Sequence, residues 1–243
     1  ASNTEIVAAA WRSIGVNPEW RILRKADFVA YTRDLHEILE FFPEGYTRGV
    51  TLRGTAIRHE AFRKAIHSCS IVVPILAASW KAPTLWFIGS VTVTYVLSEV
   101  MRLLGVAVPI FSSVTWRAMR PSEPRMVVVG PFLFGVGIFI TVAFFEPAAA
   151  TVGVLVLAIG DSAASLVGKT FGHTTLPYNP GKTLLGSLSL FAVGVLVAMF
   201  YVSVPWALLV GVVASLVESL PLGPSDNLLL PLATAGVVAL ALT

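Results

Sequence analysis

Seven runs of apolar residues, each close to the length a helix needs to cross a bilayer, restrict this chain more than any other feature. A hydrocarbon core of ~30 Å takes about 20 helical residues, with roughly 17 to 25 the usual range. The runs are Ala65–Trp80, Thr84–Leu104, Met126–Phe145, Ala148–Gly168, Leu184–Val202, Pro205–Leu220 and Leu228–Thr243. The first and last are the shortest, and Pro74 is a candidate kink in the first. Of 243 residues, 56% are apolar and 13% charged, against roughly 25% charged in soluble domains, and the mean hydropathy is +0.80. The expected fold is an all-α, polytopic membrane helical bundle of about seven transmembrane helices. The single Cys69 excludes an internal disulfide.

Charge divides the chain. Ten of the 17 Lys and Arg residues lie between Arg12 and Lys64, and beyond Lys64 the sequence is almost wholly apolar. Residues 1–62 are therefore expected to form an amphipathic cytoplasmic or interfacial segment, and residues 63–243 a transmembrane catalytic domain. Within the first, Leu35, Ile38, Leu39 and Phe42 follow the spacing of an amphipathic helix that Pro43 and Gly45 should end. Ala1–Asn17 lacks the basic start and compact apolar core of a signal peptide. With the N-terminus in the cytoplasm, 16 of the 17 basic residues face that side and only Lys81 lies outside, as the positive-inside rule favours. The outer connections are short, so the polar working surface is expected on the cytoplasmic face.

Two GKT triads invite a nucleotide reading. A P-loop needs G-x-x-x-x-G-K-[ST] between a buried strand and a helix, so that backbone N–H groups cradle phosphate. Ala163 replaces the first glycine before Gly168-Lys169-Thr170, and Leu176 replaces it before Gly181-Lys182-Thr183. Neither is a P-loop. Gly160, Ala164, Gly168 and Gly172 recur every four residues, a small-residue stripe suited to close helix packing. That stripe does not account for Asp161, well inside its span. Insertion scales assign such a group about 2.5 to 3.5 kcal/mol at mid-membrane, so it normally faces a partner, a metal or a wet cavity.

Other charged groups gather on the same side. Glu218 ends the sixth run and Asp226-Asn227 open the seventh; Arg63, Lys64 and His67 open the first. Glu99 and Arg102, three apart, are spaced for a helix ion pair. His67 and His173 have no paired ligand spacing, which argues against zinc. The connection KTFGHTTLPYNPGKT carries two lysines and no acid, a composition suited to a polyanion. Acids that hold Mg²⁺ and cations that hold phosphates are the parts phosphoryl transfer needs.

In combination these residues resemble the CTP-dependent lipid kinases, the family of dolichol kinase, phytol and farnesol kinases and the yeast-type diacylglycerol kinase. The resemblance rests on Arg63-Lys64 with His67, on Gly160-Asp161 with Ala164-Ser165, Gly168 and Gly172, on Lys182-Thr183-x-x-Gly186-Ser187, and on Glu218 with Asp226-Asn227. It covers roughly Arg63 to Pro231. The loop departs from the family pattern at Leu184-Leu185, where an acid commonly precedes the glycine.

The resemblance implies transfer of the γ-phosphate of CTP to a membrane lipid alcohol at the cytoplasmic face, with Mg²⁺ as cofactor and no nucleic-acid partner. An isoprenoid or polyprenol acceptor is favoured over diacylglycerol. Asp161 and Lys182 are the implied catalytic residues. Arg63, Lys64, Ser165, Gly168, Lys169, Gly172, Lys182, Thr183 and Gly186 are the implied nucleotide-binding residues. Asp161, Glu218 and Asp226 are the candidate metal ligands, and Lys182 is preferred to Lys169 as the principal phosphate-binding lysine. One rival is a CTP:phosphatidate-type cytidylyltransferase, whose Lys-Asp pair, HGG run and D-R-x-x-D end are missing from this sequence. The other is a small ion-coupled transporter or channel, which would need a polar route to both sides.

Overall fold

The computed structural model describes residues 14–16, 28–30, 51–106, 108, 109, 111, 114, 115 and 127–243, with side chains from Glu60 onward. The amphipathic helix expected around Leu35–Phe42 lies outside them, as do Arg117, Arg120 and Arg125. The chain divides into two compact units, Ala1–His59 with Tyr95–Val128, and Glu60–Thr94 with Val129–Thr243.

In the first unit, strands β1 (Ile14–Val16) and β2 (Phe28–Ala30) pair in parallel, a small departure from the all-α expectation. A long helix, described below as α2, ends there at Leu103. Gly105 follows it at φ 84°, and the N–H groups of Gly105 and Val106 return to the carbonyls of Arg102 and Met101. This is a Schellman stop, which glycine enters without a Cβ penalty. The Glu99–Arg102 ion pair forms as the spacing predicts, with contacts of 3.0 and 2.9 Å. Glu99 also accepts the Val128 N–H at 3.1 Å while Tyr95 donates to the Val128 carbonyl at 2.7 Å. The pair therefore anchors returning backbone as well as the helix end.

The second unit contains the small-residue stripe and the polar cluster. Helix α1 (Thr51–Ser68) passes through a 3₁₀ turn, Cys69–Ile71, into α2 (Val72–Leu103). Pro74 stands in the first turn of α2, and the carbonyl its missing N–H cannot reach, that of Ser70, lies in the 3₁₀ turn where the α-helix is interrupted. The break occurs at Trp80 (φ −138°, ψ 62°), three residues before Pro83. Thr84 Oγ1 donates to the Trp80 carbonyl at 2.8 Å, satisfying a backbone group at the break. Then follow α3 (Val129–Phe144), α4 (Pro147–Leu155), a π turn (Val156–Gly160), α5 (Asp161–Phe171), and the antiparallel strands β3 (Thr175–Leu176) and β4 (Asn179–Thr183). Helices α6 (Leu184–Ala198), α7 (Val204–Ser219) and α8 (Asp226–Leu242) complete the chain.

Helix is present in each of the seven apolar runs. Among the described residues, three helical stretches, Glu60–Leu103, Pro147–Phe171 and Gly223–Leu242, are long and apolar enough to cross a membrane. Those at Val129–Phe144, Leu184–Ala198 and Val204–Ser219 are apolar but shorter. The outward side chains include Ile75, Trp86, Phe87, Leu188, Leu196 and Leu208, the reverse of a water-soluble surface.

Inside, Val152, Val154, Leu157, Leu190, Val210, Leu230 and Val238 are fully buried. Helix α6 packs between α5 and α7, and α8 lies against α3, α4 and α7. Glycine permits these approaches. A Cβ on Gly137 would stand 2.6 Å from the Asn227 carbonyl, a group to which Pro231, lacking an N–H, cannot donate. Gly137→Ala is expected to cost about 1–3 kcal/mol through overpacking, read as earlier unfolding in a denaturant titration of the detergent-solubilised protein.

Candidate functional site

Asp161 opens α5 immediately after the π turn. Its N–H bonds to the carbonyl of Val156, five residues back, and such turns inside helices recur at functional sites. The Ser162 hydroxyl donates to the Ala158 carbonyl at 2.6 Å, and the Ser68 hydroxyl lies 3.4 Å from that of Ser162. These short polar contacts fasten the end of α1 to the turn, which brings residues nearly a hundred positions apart onto one carboxylate.

That carboxylate is 4% exposed and hydrogen-bonded to the ammonium of Lys64, itself 6% exposed. His67, one turn further along α1, holds Nδ1 3.5 Å from the same oxygen, a proximity without hydrogen-bond alignment. Its ring is stacked on Phe134 at 4.1 Å between centroids. A second acid, Glu60, is as deeply buried as Asp161. Glu60 Oε2 accepts from Arg63 and from Lys169, each at 2.5 Å, and Oε1 lies 4.0 Å from Lys64. Three cations from α1 and α5 thus surround two carboxylates, leaving one positive charge in excess, with His67 not counted.

The second cluster is built on the β3–β4 hairpin. Thr175 pairs with Thr183 and Leu176 with Asn179, and the Asn179 side-chain amide donates to the carbonyls of Ser219 and Leu220 at 3.0 and 3.2 Å. The hairpin is thereby tied to the end of α7. Lys182, on β4, donates to Glu218 at 2.7 Å and to Asp226 at 3.5 Å. Ser187 donates to the other Glu218 oxygen at 3.3 Å. Burial disfavours the Lys182 ammonium, but the charges of Glu218 and Asp226, with a smaller contribution from Asp161, outweigh it and hold its pKa above the usual lysine value. This cluster carries one negative charge in excess.

The residues singled out from sequence therefore fall into two charge groups of opposite sign. Arg63, Lys64, Lys169 and Asp161 meet around Glu60; Lys182, Glu218 and Asp226 meet on the hairpin. Ser165 stands one turn beyond Asp161 on α5, half-buried. The first GKT lies in the last turns of α5 and the second in β4, so neither forms a P-loop. The glycines serve a visible purpose of their own. A Cβ on Gly172 would stand 2.4 Å from Thr183 Oγ1, and one on Gly168 2.7 Å from the same atom. Gly186 has the Ala164 carbonyl 2.8 Å from its Cβ position and donates its N–H to Thr183 Oγ1 at 3.2 Å. Close approach of α5 to α6 around Thr183 is what this spacing achieves.

The three acids named as metal ligands are divided, Asp161 onto Lys64 and the other two onto Lys182. Among the described residues, no three His, Cys, Asp or Glu side chains gather as a metal site. Glu60 escaped the sequence reading. Its signal was local, an acid three and four residues before a basic pair, the i, i+3 and i, i+4 spacing of helix ion pairs.

No protein-family profile matches the chain, and no solved structure matches it. Curated proteins do. Phytol kinase 1 of Arabidopsis thaliana is 28% identical over 204 residues, covering 73% of this chain and 65% of that protein. A probable phytol kinase 1 of Glycine max is 32% identical over 202 residues, 72% of this chain and 65% of that one. CTP-dependent diacylglycerol kinase 1 of Schizosaccharomyces pombe is 26% identical over 200 residues, 73% of this chain and 91% of that protein. The alignments span a little under two thirds of the length of these two plant relatives.

Proposed function

We propose that this chain, which is similar to phytol kinases and CTP-dependent diacylglycerol kinases, transfers the γ-phosphate of CTP to a long-chain alcohol in the membrane. The observation that carries this reading is the pairing of a buried cation cluster around Asp161 with an acid-rich cluster around Lys182. A triphosphate suits the first. The second, with two hard carboxylate oxygen donors and a surplus negative charge, suits Mg²⁺ completed by phosphate oxygens, since that ion commonly takes one or two carboxylates together with substrate phosphates.

In the reaction the alcohol oxygen forms a bond to the γ-phosphorus, the bond from that phosphorus to the bridging oxygen breaks, and CDP leaves. Positioning and charge neutralisation do most of the work in such transfers. Arg63, Lys64 and Lys169 hold the phosphate chain, and Lys182 neutralises charge on the transferring group. One oxygen of Asp161 is engaged by Lys64, and the other orients the acceptor hydroxyl and takes its proton. Glu218 and Asp226 would hold Mg²⁺, which screens the triphosphate charge when bound. Ser165, Thr183 and the glycines Gly168, Gly172 and Gly186 shape the wall of the site.

The acceptor in this reading is an isoprenoid alcohol, supported by phytol in the names of two of these relatives; a polyprenol is the longer member of that class and diacylglycerol the competitor. The proposed topology has seven spans, with the N-terminus, residues 1–62 and the site on the cytoplasmic side. Sixteen of 17 basic residues then share one face, in line with the positive-inside rule.

Labelled CTP tests the activity. The purified chain in lipid nanodiscs, given phytol, a polyprenol or diacylglycerol, is expected to move γ-label into the isoprenoid lipid and to release CDP. Incorporation of α-label when phosphatidate is supplied instead would establish a cytidylyltransferase, and no incorporation of γ-label with any alcohol would reject the kinase reading.

A further inference from the structure

The most unexpected group in the site is Glu60, a carboxylate placed among cations assigned to phosphate. By charge alone it is unfavourable there, because it neutralises part of the field that attracts an anion. Yet its side chain is 3% exposed, and one of its oxygens accepts from two cations on different helices, Arg63 of α1 and Lys169 of α5. Its other oxygen is buried without a hydrogen-bond partner and lies 4.0 Å from Lys64. A carboxylate desolvated this far, with half its acceptor capacity unused, is costly. Its geometry accounts for its presence. Lys169 is 45% exposed along its side chain, and a long flexible ammonium at that exposure has no fixed position unless something holds it.

We propose that Glu60 is a positioning residue for the nucleotide, drawing Arg63 and Lys169 to one point so that two helices present a preformed cation cradle to the triphosphate. The inference rests on the kinase reading above. It reaches the reaction through the side chains that Glu60 holds. Ordering those side chains before binding removes part of the entropy that binding would otherwise cost.

Charge and positioning predict opposite signs for Glu60→Gln. If Glu60 only damps the local field, the variant binds CTP more tightly than the parent. If Glu60 positions the cations, the Michaelis constant for CTP rises about 10-fold or more while kcat falls much less, the split expected when an interaction common to ground and transition states is lost. The measurements are γ-label transfer from CTP to phytol and equilibrium binding of CTP, both on the full chain in nanodiscs. Lys169→Ala and the double variant complete a cycle. The two losses are expected to be strongly non-additive, because Lys169 without Glu60 is already unplaced.

Tighter or unchanged CTP binding in Glu60→Gln, or additive losses, would overturn the proposal. Should Glu60→Gln fail to fold, Glu60→Asp keeps the charge and shortens the reach by one methylene. A CTP Michaelis constant raised about three-fold or more supports positioning, and an unchanged one overturns it. Failure of the kinase reading is separate: the parent protein would then transfer no γ-label.

Discussion

Asp161→Asn is expected to lower γ-phosphate transfer by about 10²–10³-fold, the range seen when one preorganised charged or hydrogen-bonding group is removed from a reacting centre. The amide is nearly the same size, so the packing of α5 on α6 survives, but Lys64 loses its closest anionic partner. Breaking a buried ion pair from one side typically costs about 3–5 kcal/mol. Glu60, 4.0 Å from the same ammonium, should hold the loss toward the lower end. Turnover must therefore be normalised to folded protein and compared with CTP binding. A variant that stays folded and keeps parental turnover would remove Asp161 from the chemistry.

Lys182→Met has the second large effect, and its partners make it informative. Without the ammonium, Glu218 and Asp226 face each other uncompensated, and Glu218 is almost fully buried. Stability and activity should fall together, activity by about 10²–10³-fold on the same grounds as for Asp161. Adding Glu218→Gln removes the stranded charge. The double variant is expected to recover much of the unfolding midpoint and none of the phosphoryl transfer, which separates the structural from the chemical role. Recovery of activity in that variant would show that Lys182 serves only to neutralise Glu218.

The pH behaviour of Lys182 has a definite sign. Its folded pKa is raised, by Glu218 and Asp226 against the opposing effect of burial. The stabilisation from the ammonium is therefore complete below the unfolded value of about 10.4 and is lost only as pH rises through the higher folded one. Between about pH 7 and 9 no loss of stability or turnover should trace to this lysine. An alkaline limb of kcat/KM inside that window, abolished in Lys182→Met, would contradict the assignment.

Much of this arrangement can be read from the residues, and what cannot has identifiable causes. Apolar length locates the helices, because a chain with so few charges has one economical way to satisfy its backbone in lipid. The cost of a carboxylate in such a segment picks out Asp161, and the acid-free connection picks out Lys182. The π turn before Asp161 leaves no trace, since Val156–Gly160 is buried on nearly every side and has no polar face whose rotation would betray an extra residue. The β3–β4 hairpin is equally silent: Pro177 lies in its turn and Pro180 inside β4, and its anchor, Asn179, bonds to carbonyls at the end of α7. The break at Trp80 falls at the connection expected between the first two runs, beside Pro83, while Pro74 stands just after the 3₁₀ turn, because position within a helix, which sequence places only to within a few residues, decides what a proline does. Glu60 was passed over for a different reason. Cations suited to phosphate are marked by their charge, but the partner that holds Lys169 lies 109 residues away on another helix and leaves no mark beside it.

Thr183 has the widest mechanical consequence. Its hydroxyl oxygen receives the Gly186 N–H and fills the notch left by Gly168 and Gly172, while its neighbour Lys182 joins the acids of α7 and α8. One side chain is thus the gauge block between the two halves of the site, setting how far Lys182 stands from the helix that bears Asp161. The spacing between the two charge clusters is thus a tolerance of helix packing, fixed by a missing methyl group on each of two glycines.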